Sequence, residues 1–254
     1  MSAAAPPLPQ GFRLLRYETI GSTNDEAKRL AQEGAPGGTV VWAGAQTAGR
    51  GRRGRNWASP PGNLYASLLL RPDCPLAEAA QLGFVAGLSV ADTLDPLIPP
   101  QLRLRLKWPN DVLLDGRKLA GILLESVTSA GATAEFVVIG VGVNLASSPG
   151  TAEYPAISLA EAGIAEIEPG EALAAFVTAF ARWAARWRAE GFAPIRAAWI
   201  GRASGVGEAV SVRLDRSTLT GRFAGLDEAG ALLLEQEAGC RRIAAGDVFP
   251  AARG

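Results

Sequence analysis

The chain has 254 residues, with 25 basic and 25 acidic side chains, no histidine and two cysteines. A formal charge of zero argues against a general nucleic-acid binder, which carries a basic excess over a whole face. The missing imidazole excludes Ser-His-Asp and Cys-His nucleophile systems and any zinc site built on histidine. Any chemistry falls to Lys, Arg, Asp, Glu, Asn and backbone groups, with a hard metal ion left open. Cys74 and Cys240 lie far apart without metal-ligand spacing and read as reduced, unpaired thiols.

Residues 1–9 lack a positive start followed by an apolar core, so they are no signal peptide. No apolar run is long enough to span a bilayer. A cytoplasmic protein is expected, with a disordered tail over 1–11. Residues 12–17 then read as a first strand. Thr23 and Glu26 fit a capping box, which predicts a helix beginning there and stopping near Gly34. A short buried strand over 39–43 leads to Gln46 and Thr47.

Residues 48–59, AGRGRRGRNWAS, follow. Four arginines (50, 52, 53, 55) and three glycines (49, 51, 54) cannot pack into a core or sustain a regular element. They suit closure over phosphate or another anion. A solvated basic loop and an arginine-glycine nucleic-acid segment are the alternatives. The spacing Gly49, Gly51, Gly54 matches a dinucleotide fingerprint, but that needs a helix directly after it, and the continuation NWASPPG forbids one.

A strand is expected over 64–70 and one core-facing helix over 76–95, from its i, i+3, i+4 apolar stripe. Leu102, Leu104 and Leu106 alternate with basic residues as a half-buried strand, ended by Lys107-Trp108-Pro109-Asn110-Asp111. The chain uses lysine at only three positions, two of them within 107–118, where a compact point charge suits a crowded centre. A hairpin over 112–125 and a buried strand over 136–145 come next. Gly140 and Gly142 bare the backbone of that strand for a bulge, a ligand or a bulky neighbour. A long aromatic-striped helix over 171–190 and a helical turn over 194–199 precede a glycine-rich hinge at 201–205. Short strands at 210–214, 219–223, 231–234 and 241–243 then predict a small all-β barrel.

Three loops stand out: Ser22-Thr23-Asn24, Gln46 with the arginine run, and 107–111. A hydroxyl, an amide and a glycine-lined strand suit a small polar ligand; arginines and a lysine suit its carboxylate and a phosphate. The combination points to activation of an acid by a nucleotide.

GRGRRGRNW (49–57), KWPNDVLLDGRKLAGIL (107–123) and VIGVGVNL (138–145), with GALLLE at 230–235, together resemble the biotin protein ligase family. The resemblance runs from about residue 12 to 249. It implies an α+β fold: a mixed β-sheet catalytic domain flanked by helices, of the class II synthetase-like biotin/lipoate ligase type, over 12–203. A small SH3-like barrel is then expected over 204–254. It also implies two steps, biotin activation by ATP with Mg2+ to biotinyl-5′-AMP, then transfer to a lysine of a biotin carboxyl carrier domain. That carrier would belong to acetyl-CoA carboxylase or another biotin-dependent carboxylase. By the same resemblance Ser22, Thr23, Asn24, Gln46, Arg50, Gly51, Arg52, Gly121 and Gly140 bind biotin. Lys107 bridges carboxylate and α-phosphate and is catalytic with Arg52. Arg55, Asn110, Lys118 and Asn144 meet the nucleotide, and Asp111 lies on the magnesium side. Trp57 reads as a packing lid or as a loop anchor. The arginine run is expected to order over its ligand as a lid.

Bifunctional members carry an N-terminal helix-turn-helix where this sequence has about eleven residues, so no DNA partner is expected, nor a membrane; a homodimer stays open. The rivals are a lipoate or octanoate ligase of the same fold and a nucleic-acid-binding protein.

Overall fold

Residues 6–128, 133–149, 154–165 and 167–251 are described in a computed structural model. Strand β1 (Arg13–Ile20) is followed by helix α1 (Thr23–Gln32), β2 (Thr39–Gln46) and β3 (Leu64–Leu70). A short α2 (Leu76–Ala79) precedes α3 (Leu82–Leu94), then β4 (Leu104–Lys107), β5 (Asp111–Leu114), β6 (Arg117–Thr128) and β7 (Ala134–Val143). Helices α4 (Pro169–Glu190) and α5 (Phe192–Gly201) close the larger part. The smaller part holds β8 (Ala209–Arg213), β9 (Thr218–Leu226), β10 (Leu232–Gln236), β11 (Gly239–Ile243) and β12 (Asp247–Pro250).

Strands β1–β7 form one seven-stranded sheet in the order β1-β2-β3-β7-β6-β5-β4. Its β1–β2 pair is parallel and the rest are antiparallel. Alternation along the strands sends Val40, Trp42, Leu68, Val137, Ile139 and Val141 to one face, against α3, α4 and α5. Val41, Leu69, Phe136 and Val138 point the other way, onto Ala27, Leu30 and Ala31 of α1. A ten-residue helix spans only about 15 Å, and seven strands spread over about 29 Å. Helix α1 therefore cannot cover its face of the sheet, and the uncovered stretch is where polar residues gather.

The second sheet is antiparallel, in the order β11-β10-β9-β8-β12, and supplies the small all-β unit expected after the hinge. It seats against the larger part beside β4. Leu106 N donates to Arg202 O at 2.8 Å, and Ser204 N to Leu106 O at 2.8 Å. Trp108, buried, donates its indole N–H to Gly230 O at 3.0 Å.

Several boundaries depart from expectation for local reasons. The helix expected over 76–95 breaks at Ala80–Gln81: α2 touches the end of β7, whereas α3 packs on α4 and β6. Gln81 holds the break by accepting from the buried Trp187 indole at 2.8 Å. The cap of α1 is Ser22, whose Oγ accepts from Asp25 N, and Thr23 is already helical. Strand β12 had no counterpart in the sequence reading, being four residues between Gly246 and a terminal proline. Of the tail expected over 1–11, residues 1–5 lie outside the described residues; Leu8 packs against the core.

Candidate active site

Register builds the site floor. Lys107 pairs with Asp111, Asp111 with Gly121, Gly121 with Gly142, and Gly142 with Tyr65, one cross-strand row over five strands. Directly paired residues point to the same face, so this row carries an ammonium, a carboxylate and two bare glycines onto the face that α1 leaves open. In the neighbouring row Leu123 pairs with Gly140 and Gly140 with Ser67.

Both glycines of β7 are required by particular neighbours. A Cβ on Gly140 would lie 2.2 Å from Asn24 Oδ1, and one on Gly142 would lie 2.6 Å from the Trp57 indole. The bulky-neighbour alternative is met at both positions, and both glycines also line the cavity, where a ligand can approach them. Asn24 reaches in from the first turn of α1, its Oδ1 2.6 Å from Ser67 Oγ and its Nδ2 donating to Glu125 Oε2 at 2.7 Å. Thr23 donates from its backbone N (2.8 Å) and Oγ1 (3.1 Å) to Gln46 Oε1, and Gln46 donates onward to Ser59 Oγ at 3.0 Å. Ser22, Thr23, Asn24 and Gln46 thus form one rigid polar wall, set by the helix cap and the end of β2.

The opposite wall is charged. Lys107 is only 8% exposed, with Nζ 3.6 Å from Asp111, 4.4 Å from the Tyr154 ring centre and 5.1 Å from that of Phe249. Burial pushes its ammonium below the ordinary lysine value, and Asp111 pulls the other way. Asp111 also pairs with Lys118 at 2.6 Å. Asn110 donates to Ile122 O at 2.8 Å and accepts from Arg52 at 3.2 Å. The Asn144 amide donates to Ile157 O at 3.1 Å and Lys118 O at 3.4 Å, so its nitrogen is engaged in holding the end of β7.

The arginine loop is docked at both ends. Arg50 grips Asp25 with both terminal guanidinium nitrogens and reaches Glu125 at 3.1 Å. Burial of Glu125 favours its neutral form, yet the hydrogen bonds from Asn24 and Lys28 and the Arg50 charge prevail and hold its carboxyl below the usual range. Arg52, Arg53 and Arg55 converge on Asp247. Residues 52–54 form a 3₁₀ turn with Arg53 at φ 56°, a left-handed step among three glycines. Each of these arginines already meets a carboxylate, which is unlike a solvated basic loop or a patch open to nucleic acid.

These elements enclose one cavity of about 390 Å³. Every residue assigned from the sequence to a ligand lies on its wall: Ser22, Thr23, Asn24, Gln46, Arg50, Gly51, Arg52, Arg55, Lys107, Asn110, Asp111, Lys118, Gly121, Gly140 and Asn144. The sequence reading missed Tyr154, Asp247 and Phe249, which also line it. It left Trp57 open; the indole stacks over Gly121 and Gly142, 5.3 Å from Lys118 Nζ, so it is wall as well as anchor. No local pattern marked these four, except that a tryptophan beside a glycine-rich loop faces two glycine-bearing strands. Among the described residues no group of three carboxylate or thiol side chains could cage a metal.

With this geometry in hand, residues 17–144 match the model of the biotin/lipoate A/B protein ligase family, and 205–249 that of the biotin protein ligase C-terminal domain. The chain belongs to the biotin/lipoate A/B protein ligase family. It is 47% identical to a biotin–[acetyl-CoA-carboxylase] ligase of Paracoccus denitrificans, over 90% of this chain and 96% of the relative. Identity to the bifunctional ligase/repressor BirA of Bacillus subtilis is 34%, over 94% of this chain and 74% of that protein. Among solved structures, a biotin protein ligase from Aquifex aeolicus in complex with biotin and ATP superposes with a TM-score of 0.78 at 30% identity, covering 93% of this chain and 97% of that one. The smaller sheet, where Asp247 and Phe249 lie, is thus the part that the family's C-terminal model describes. Among the described residues no helix is long and apolar enough to cross a membrane.

Proposed function

We propose that this ligase-family chain activates biotin with ATP to biotinyl-5′-AMP and transfers the acyl group to a lysine of a biotin carboxyl carrier domain. The observation that carries the reading is the row Lys107, Asp111, Gly121, Gly142 facing the Thr23–Gln46–Asn24 wall across one cavity. The match to the biotin protein ligase C-terminal domain and the biotin ligases the chain resembles favour biotin over lipoate.

In the first step a carboxylate oxygen attacks the α-phosphorus, and pyrophosphate leaves. Two anions must approach, and negative charge builds on the α-phosphoryl oxygens. Lys107 is assigned to bridge them: buried between two rings, its ammonium acts in a medium of low dielectric, where each charge counts for more than in water. Arg52 is assigned beside it, and Ser22, Thr23, Asn24, Gln46, Arg50, Gly51, Gly121 and Gly140 to the biotin. Arg55, Lys118, Asn110 and Asn144 are assigned to the nucleotide, with Trp57 as an apolar surface for the base. Mg2+ typically enters such sites bound to nucleotide phosphates with few protein ligands. Asp111, already between two ammonium groups, would be its contact, and the ion would neutralise charge on the phosphates. In the second step the carrier's lysine amine attacks the acyl carbonyl, an amide forms and AMP leaves. The docked loop is assigned to keep water from the mixed anhydride meanwhile.

Incubation with biotin, ATP and an acetyl-CoA carboxylase carrier domain should label the carrier on its lysine, with none on a Lys→Arg carrier. Labelling by lipoate or octanoate in place of biotin would move the assignment within the family, and no labelling by any acid would sink it.

A further inference from the structure

Two ammonium groups border Asp111, and they are held in different ways. Lys118 Nζ lies 2.6 Å from the carboxylate, a direct ion pair. Lys107 Nζ lies 3.6 Å from it, longer than an ordinary N–H···O bond. Lys107 is nevertheless buried, and a buried ammonium needs a fixed source of attraction. Two aromatic rings supply it. The Tyr154 ring centre is 4.4 Å from Nζ and that of Phe249 5.1 Å, with the rings 6.2 Å apart and tilted by 49°. A ring face attracts a cation through its quadrupole, more strongly where water is excluded. The two rings come from separate parts of the chain. Tyr154 leads into a run alongside the start of β6, where Lys118 N donates to Pro155 O at 2.7 Å and Ile157 N to Lys118 O at 3.0 Å. Phe249 pairs with Ser211 of β8, and the Arg213 guanidinium lies 4.7 Å from its ring centre. Tyr154 falls outside both regions that match a family model, and Phe249 is the last residue of the second.

We propose that Tyr154 and Phe249 are positioning residues: an aromatic clamp that fixes the Lys107 ammonium in the cavity wall while leaving its N–H donors for ligand oxygens. A carboxylate at bonding distance takes a donor and offsets the charge; a ring face holds the cation without neutralising it. An ammonium held in this way keeps its charge and its donors for the oxygens of the carboxylate and the α-phosphoryl group, where negative charge builds. Both rings line the cavity beside Lys107. The effect on adenylation rests on the ligase reading; the clamp itself does not.

Two measurements test it. The first is proton NMR of the substrate-free chain, in which Lys107→Met assigns the Lys107 signals among those of only three lysines. The Lys107 methylene protons next to the ammonium should be shifted upfield by the ring currents. They should move back in Tyr154→Leu and stay upfield in Tyr154→Phe; the same position in all three overturns the clamp. The second is biotin-dependent pyrophosphate exchange. Its kcat should fall on the order of tenfold in Tyr154→Leu and in Phe249→Leu, with KM for biotin and for ATP changed less than about twofold. Tyr154→Phe, which keeps a ring face, should recover most of that loss. An equal loss in Tyr154→Leu and Tyr154→Phe, or a raised KM with kcat intact, overturns the role. If Tyr154→Leu lowers the melting midpoint of the chain, mono-, di- and trifluorophenylalanine at position 154 take its place. Each fluorine withdraws charge from the ring face at nearly constant shape, so kcat should fall stepwise, and a flat series overturns the clamp. Absence of exchange in the wild type refutes the ligase reading and leaves the NMR measurement to decide the clamp.

Discussion

Lys107 sits under opposing demands: burial between Tyr154 and Phe249 disfavours its charge, and Asp111 at 3.6 Å restores part of it. The folded chain therefore binds this proton less tightly than the unfolded one. Between the lowered folded value and the ordinary 10.5, stability rises with pH, and below that window the buried charge is a net cost. Lys107→Met, which keeps the apolar stem, should leave the melting midpoint unchanged or raised. It should also cut adenylation by about 10²-fold or more; a variant with near-wild-type exchange would remove Lys107 from the chemistry. The alkaline limb of the exchange rate should fall below the pH at which an ordinary lysine titrates. Gly140→Ala is the complementary case. Its Cβ would meet Asn24 Oδ1 at 2.2 Å, so Asn24 must leave its bonds to Ser67 and Glu125. A loss of about 1–3 kcal/mol in urea unfolding is expected, with a raised KM for biotin. At this scale Lys107 was legible because lysine is rare in the chain and stands where a strand ends in proline and turn residues. Gly140 was legible as a close approach, but not as Asn24's partner, because that pairing comes from register between elements over a hundred residues apart.

Single elements hold the walls in place. Asn63 Oδ1 accepts from the backbone N–H groups of Leu145, Ala146 and Ser147, at 2.9, 2.9 and 3.2 Å, and so fixes the turn after β7 that carries Asn144. Asn63→Ala strands those donors and should cost about 2 kcal/mol or more by chemical denaturation. Glu125, in the middle of β6, ties Asn24, Lys28 and Arg50 together. Its carboxyl is held below the usual range, so its contribution is fully present above about 4.5 and is lost as pH falls through the lower folded value. A melting midpoint flat across that acid range in the wild type would contradict it. The long, strongly patterned elements β2, β3, β7 and α4 were readable from their periodicity. Strand β12 was not, since four residues between Gly246 and Pro250 give no period. The break between α2 and α3 is equally silent, and Gln81 within it meets Trp187 of a distant helix.

For the molecule as a whole, the two sheets share one task. The larger sheet lays out the cavity floor by register, and the smaller one closes it with Asp247 and Phe249. Both parts were legible in the sequence, and its resemblance to the ligase family named the fifteen residues that meet in the cavity; most sit in loops or near element ends, while Gly121 and Gly140 lie inside β6 and β7. The sequence could not announce how the parts meet. That contact depends on Leu106 bonding to Ser204 and on Trp108 reaching Gly230, pairings that no local pattern encodes. Biotin is the acid proposed for this cavity. Exchange of labelled pyrophosphate into ATP, run in parallel with biotin, lipoate and octanoate, decides between the three. Exchange with biotin alone, abolished in Lys107→Met, is the predicted result; exchange driven by lipoate or octanoate but not by biotin, or none with any acid, would contradict it.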